Sequence, residues 1–129
     1  MLATTQQPYS SSVIIKSVDR EAIARAVWEY ATELRRRYTE IERIIWFGSW
    51  ITGLPSPGSD VDICLVVTDS SKPRHIRSVD YLPFGFPVGM DVHVYTRAEF
   101  ERLTETSPHW FCAISTGREV GGESNSVEA

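Results

Sequence analysis

The stretch Phe47-Gly-Ser-Trp-Ile-Thr-Gly-Leu-Pro-Ser-Pro-Gly-Ser-Asp-Val-Asp-Ile-Cys-Leu-Val-Val67 decides the reading of this chain. Its first half is rich in glycine, proline and serine, which break regular structure. Its second half, Val61 to Val67, is an apolar run of strand length. Beyond Asp62 both faces of that strand are apolar, so a central strand covered on both faces is expected. Two carboxylates, Asp60 and Asp62, stand at its start. Successive side chains of a strand point to opposite faces, so these two share a face, with alpha carbons roughly 6.5 to 7 Å apart. Like charges so placed repel unless a cation lies between them. Magnesium suits the position, because it takes one or two protein carboxylates and completes its shell with water and phosphate oxygens.

A third carboxylate fits the same scheme. Met90 to Tyr95, MDVHVY, reads as another strand, with Asp91 between Met90 and Val92. If the two strands are neighbours, Asp60, Asp62 and Asp91 converge, enough for a two-metal phosphoryl-transfer site. Before them, Ile44 to Phe47 has strand character and ends at Gly48-Ser49, where one or two helical turns are expected over 49–54. Gly48 allows close approach of a phosphate to the backbone. The Ser49 hydroxyl and the amides of a helix start supply donors. Taken alone, Gly48-Ser49 is a common turn, and each aspartate also reads as a loop or cap residue. Their order, spacing and strand context together are far more specific.

Residues Gly48-Ser49, ten further residues, and Asp60-Val61-Asp62 resemble the motif of the minimal nucleotidyltransferases, members of the DNA polymerase beta-like superfamily. The hydrophobic IIWF before the Gly-Ser, the apolar ICLVV after Asp62 and the later strand carrying Asp91 fit the same family. The likeness spans roughly residues 20–120. It implies an α/β fold: a small mixed, mainly antiparallel sheet flanked by helices, with the helices expected on one side and the site at the open edge. It also implies transfer of a nucleoside monophosphate, AMP from ATP or another NTP, to a hydroxyl, with two magnesium ions. Asp60, Asp62 and Asp91 would hold the metals, Asp91 would help to deprotonate the acceptor, and Gly48 and Ser49 would bind the triphosphate. One departure stands out. Many relatives carry an arginine shortly after the Gly-Ser, where this chain has Trp50-Ile51-Thr52-Gly53. Lys72, Arg74 and Arg77 are candidate substitutes, though the plainer reading of these residues is a solvated loop.

The rest of the chain bounds the function. It has 129 residues, 42% hydrophobic and 23% charged, the size and composition of one globular domain. The net charge of −4 argues against extended nucleic-acid binding, which needs a basic footprint. No apolar run approaches a membrane span, and MLATTQQPYSSS lacks the features of a signal peptide. Cys64 and Cys112 have no metal-binding spacing, and a cytoplasmic setting is expected. Residues 1–12 read as a disordered N-terminus, 13–120 as the domain, with Val13 to Ile15 a short extended segment, and 121–129 as a disordered tail. Residues 19–38 read as an amphipathic helix capped by Asp19, with Ile23, Val27, Tyr30, Ala31, Leu34 and Tyr38 on its apolar face. Arg35-Arg36-Arg37 reads as its solvated C-terminal end. Helices are also expected over 74–81, 97–106, with Thr96 and Glu99 as a capping box, and 109–116. Trp46 and Trp110 read as core and Trp50 as a base-stacking candidate. His93, on the face of Asp91, is either a proton acceptor or a satisfied strand histidine.

The resemblance also implies a partner. Minimal nucleotidyltransferases of this size occur beside small helical HEPN proteins as antitoxins, acting on that toxin by adenylylation or masking it by contact. The chain reads as a catalytic core with no helical domain to supply its own acceptor, which favours a separate partner. A small-molecule nucleotidyltransferase of the aminoglycoside type shares the core motif but carries an additional substrate domain.

Overall fold

The protein is described here by a computed structural model covering residues 2–53, 55 and 59–121, with side chains described from Arg20 onward. Helix α1 spans Leu2–Arg37. It is longer than the expected 19–38: it passes through position 19 without a start there. Positions 2–12 and 13–15 continue it, in place of an unstructured and an extended segment. No glycine interrupts 2–37, and extending a helix is far easier than nucleating one. The tail 122–129 lies outside the described residues.

Four strands follow: β1 (Ile41–Phe47), β2 (Val61–Val67), β3 (Met90–Thr96) and β4 (Arg118–Glu119). They form one sheet in the order β3-β2-β1-β4. β1 is antiparallel to β2 and to β4, and β2 is parallel to β3. The sheet is therefore mixed and mainly antiparallel. β2 is central, as its apolar faces require, and only Asp62 escapes full burial along it. β4 is missed by the sequence reading. It has two exposed residues and no apolar pattern, and it is fixed by the buried Val120, whose amide donates to the Ile44 carbonyl at 2.9 Å.

Helices cover both faces of the sheet, a correction to the one-sided packing expected. On one face Ile23, Val27, Ala31 and Leu34 of α1 pack on Ile44, Trp46, Ile63, Leu65 and Val94. On the other, Phe100, Leu103 and Ile114 pack on Ile45, Phe47, Cys64, Val66 and Tyr95. The second layer comes from α4 (Arg97–Glu101), α5 (Leu103–Thr106) and α6 (Pro108–Ser115). A strand with Ile63 and Leu65 on one face and Cys64 and Val66 on the other leaves no alternative. Burying each large aliphatic side chain contributes about 1.5–3 kcal/mol, and an uncovered face would forfeit that.

The segment between β2 and β3 holds α3 (Arg74–Arg77) and a 3-10 turn (Ser78–Tyr81). It is tied to the first layer by Tyr30, whose hydroxyl donates to the Tyr81 carbonyl at 2.7 Å. It is tied to the second by Arg77, the one buried charged residue among those described. The Arg77 guanidinium pairs with both carboxylate oxygens of Glu99, at 2.6 and 3.1 Å. Glu99 also closes the expected capping box with Thr96. Among the described residues no helix is long and apolar enough to cross a membrane.

Candidate active site

The parallel register of β2 and β3 sets Asp62 opposite Asp91, and the antiparallel register of β1 and β2 sets Phe47 opposite Asp62. One row thus runs across three strands: Phe47, Asp62, Asp91. It sits where β1 ends and β2 and β3 begin, so the turn after Phe47 opens beside it. Asp60 is one residue before β2 and, by the alternation of the strand, on the face of Asp62. The strand-neighbour relation that the sequence left conditional is what the structure has.

Gly48 caps α2 (Ser49–Thr52) with φ of 95°, a conformation side chains rarely adopt. A β-carbon on Gly48 would lie 2.3 Å from Oδ2 of Asp62. The backbone of the Gly-Ser turn therefore lies directly against the Asp62 carboxylate. The first helical bonds run from the Ile51 and Thr52 amides to the Gly48 carbonyl, both at 3.0 Å. The amides of Ser49 and Trp50 precede them, at the turn where helix amides lack intrahelical acceptors.

The electrostatics match this crowding. Partial burial, then the charge of Asp91, then that of Asp60, push the Asp62 carboxyl up from 3.8 to about 6. The charges of Asp91 and Asp60 thus both act on Asp62. A cation would relieve this repulsion. Among the described residues no three His, Cys, Asp or Glu side chains are gathered into a ready-made metal cage. The donor set suits magnesium nevertheless, since that ion keeps water and phosphate oxygens in its shell and needs only one or two carboxylates. Asp62, against Gly48 and with Asp91 opposite it in the register, is where these residues would hold such an ion.

Around the row, several side chains fall where the sequence did not put them. Trp50 is buried and its Nε1 donates to the Ser59 carbonyl at 2.8 Å. It pins the far end of the loop just before Asp60 and offers no face to a base, which overturns the stacking reading. Trp46 is core, as expected. Trp110, expected in the core, is only partly buried. It meets Phe47 edge-on at 5.5 Å and His93 at 5.0 Å, ring centre to ring centre. His93 packs against both Phe47 and Trp110, and its Nε2 is buried with no hydrogen-bond partner among the described residues. Burial lowers its pKa, and Asp91 opposes this less strongly, so the ring is held towards its neutral form, and with Nε2 unpaired it is not the satisfied strand histidine.

The candidate substitutes for the missing arginine also resolve. Arg77 is spent on Glu99, and Lys72 pairs with Asp80 at 2.6 Å. Arg74 lies over the Tyr95 ring, 5.4 Å from its centre. Arg74 also lines a cavity of about 220 Å³ along β3 with His75, Ser78 and His93. Of the three, Arg74 alone is exposed with no carboxylate within ion-pair distance among the described residues. Gly89 is a site neighbour that the sequence reading missed. A β-carbon there would meet Oδ1 of Asp60 at 2.4 Å. Its signal was hidden in the turn-rich stretch 83–89, where another glycine is no surprise.

Comparison with known proteins agrees with this architecture. A solved structure, that of a candidate nucleotidyltransferase from Sulfolobus solfataricus, is similar in fold, with a TM-score of 0.52 and 20% sequence identity. The match covers 64% of this chain and 75% of that one. No curated protein matches the chain. The family model of the nucleotidyltransferase domain matches residues 28–111, well over half of the 129. That span contains the Gly-Ser turn and all three aspartates, and the chain belongs to the nucleotidyltransferase domain family.

Proposed function

We propose that this domain transfers AMP from ATP, in a magnesium-dependent reaction, to a hydroxyl on a separate protein. The observation that carries the reading is the row of Asp62 and Asp91, with Asp60 beside it and the Gly48-Ser49 turn packed against Asp62. Bound magnesium would neutralise the triphosphate and the charge that develops on the leaving pyrophosphate. Asp60, Asp62 and Asp91 are the residues that would hold it. The Gly48-Ser49 turn would orient the phosphates through backbone amides and the Ser49 hydroxyl. Asp91, on the edge strand, is open to an acceptor arriving from outside the sheet and would take its proton. The acceptor oxygen then forms a bond to the α-phosphorus, the α–β phosphoanhydride bond breaks, and pyrophosphate leaves with its electron pair.

The acceptor we propose is a small helical HEPN-type protein, with this chain as its antitoxin. Support comes from the family resemblance and from the described helices, whose buried residues Ile23, Val27, Leu34, Phe100, Leu103 and Ile114 all pack on the sheet. The test is co-expression with the neighbouring gene product, followed by mass spectrometry. Copurification and an added nucleoside monophosphate on a hydroxyl side chain are expected. A chain that remains alone at micromolar concentration and modifies nothing would contradict the partner reading.

A second reading, masking of the partner by contact without catalysis, is favoured by one observation. α2 supplies no cation, and Arg77 and Lys72 are engaged elsewhere. In that case Asp62→Asn leaves neutralisation of the partner intact.

A further inference from the structure

We propose that Gly89 is a positioning residue for Asp60: its missing side chain is the space in which the Asp60 carboxylate lies. The proposal rests on the reading of Asp60 as a cation ligand. Three observations lead to it. A β-carbon on Gly89 would stand 2.4 Å from Oδ1 of Asp60 and 3.0 Å from its Cγ, well inside contact distance. The backbone of Gly89 is not in the left-handed region, unlike that of Gly48, Gly53, Gly85 and Gly121, so its conformation does not call for glycine. And Gly89 cannot step aside, because its carbonyl accepts from the Val61 amide at 2.9 Å, where β2 and β3 first meet.

The same bond that fixes Gly89 fixes the residue next to Asp60. A side chain added at position 89 therefore moves the carboxylate and leaves the backbone in place. Asp60 is exposed and its carboxylate swings about its own bonds, so the displacement costs the fold little. It costs the site its geometry. Gly48 plays the matching part for Asp62, with Oδ2 at 2.3 Å from the position of a β-carbon. The two carboxylates of the Asp60-Val61-Asp62 pair are thus each seated on a glycine from a different loop, and β2 holds the two seats at a fixed separation.

The test measures Mn²⁺ binding by calorimetry, together with thermal melting, on the wild type, Gly89→Ala, Asp60→Asn and the double variant. Gly89→Ala is expected to melt with the wild type and to bind Mn²⁺ about tenfold more weakly or worse, the usual loss when a supporting contact of a ligand is removed. In the Asp60→Asn background the same change is expected to have less than about a twofold effect, because coupled positions are not additive. Wild-type affinity in Gly89→Ala, an undiminished penalty in the Asp60→Asn background, or a large fall in melting temperature would each overturn the proposal. If Asp60→Asn binds Mn²⁺ as the wild type does, the reading of Asp60 as a ligand fails first and the role of Gly89 falls with it.

Discussion

Replacing Asp62 by Asn should make the metal-free protein more stable while destroying its site. The carboxyl is pushed up from 3.8 to about 6 by partial burial and by the charges of Asp91 and Asp60. Every tenfold change in proton affinity corresponds to about 1.4 kcal/mol, which sets an upper bound of about 3 kcal/mol on the destabilisation at neutral pH. Asp62 is only partly buried, so solvent screening reduces this to about 1 kcal/mol. For a chain of this length that is a rise of about 3–5 °C in melting temperature. The sign follows from the direction in which the carboxyl is displaced. A carboxyl raised in the folded state binds its proton more tightly there, so its stabilising contribution is complete below about pH 3.8 and is lost as pH rises through about 6. The gap between variant and wild type should therefore be widest near pH 8 and close near pH 4. Magnesium or manganese should raise the melting temperature of the wild type alone. Thermal melts at both pH values, with and without metal, decide the matter. An Asn variant less stable than the wild type at pH 8, or a gap independent of pH, would refute the electrostatic account of the row.

Glu99 should behave in the opposite sense. Arg77 holds its carboxyl down to about 2, so wild-type stability should fall as pH drops from about 4.5 towards 2, and Glu99→Gln should flatten that acid limb in a pH series of denaturant melts. Trp50→Phe removes the hydrogen bond to the Ser59 carbonyl and should cost about 1 kcal/mol, read from urea denaturation, with no loss of base stacking in nucleotide binding. Gly48→Ala places a side chain at φ of 95° and 2.3 Å from the Asp62 carboxylate. About 1–3 kcal/mol of stability should be lost to backbone strain, and nucleotide affinity by calorimetry should fall with it.

The features legible in the sequence are those whose cause is local. β2 has the expected bounds and β1 ends at Phe47 as expected, though it begins three residues before Ile44, because alternation, apolar runs and Gly/Pro breaks act within a few residues. Asp60 and Asp62 on one face follow from the two-residue period alone. The pairing of Asp62 with Asp91 required only that β2 and β3 be neighbours, which the sequence could state as a condition. What stayed hidden depends on distant partners. Two-sided helix packing was implied by the two-faced apolarity of β2, but the one-sided expectation did not follow that implication through. Trp50 beside Ser49 looked like a platform for a base until Ser59, nine residues on, took its only donor. Arg77 looked like a loop cation until Glu99, twenty-two residues on, claimed it. Gly89 has no signature except the carboxylate it makes room for.

The central claim is that the row of aspartates beside Gly48-Ser49 is a nucleotidyl-transfer site. Its most direct test is incubation of the chain with magnesium, ATP labelled at the α-phosphate and the copurified partner. Label should appear covalently on the partner with release of pyrophosphate, and the transfer should vanish in Asp62→Asn and without magnesium. Transfer that proceeds unchanged in Asp60→Asn and Asp62→Asn, or no transfer by the wild type to any partner it binds, would contradict the claim.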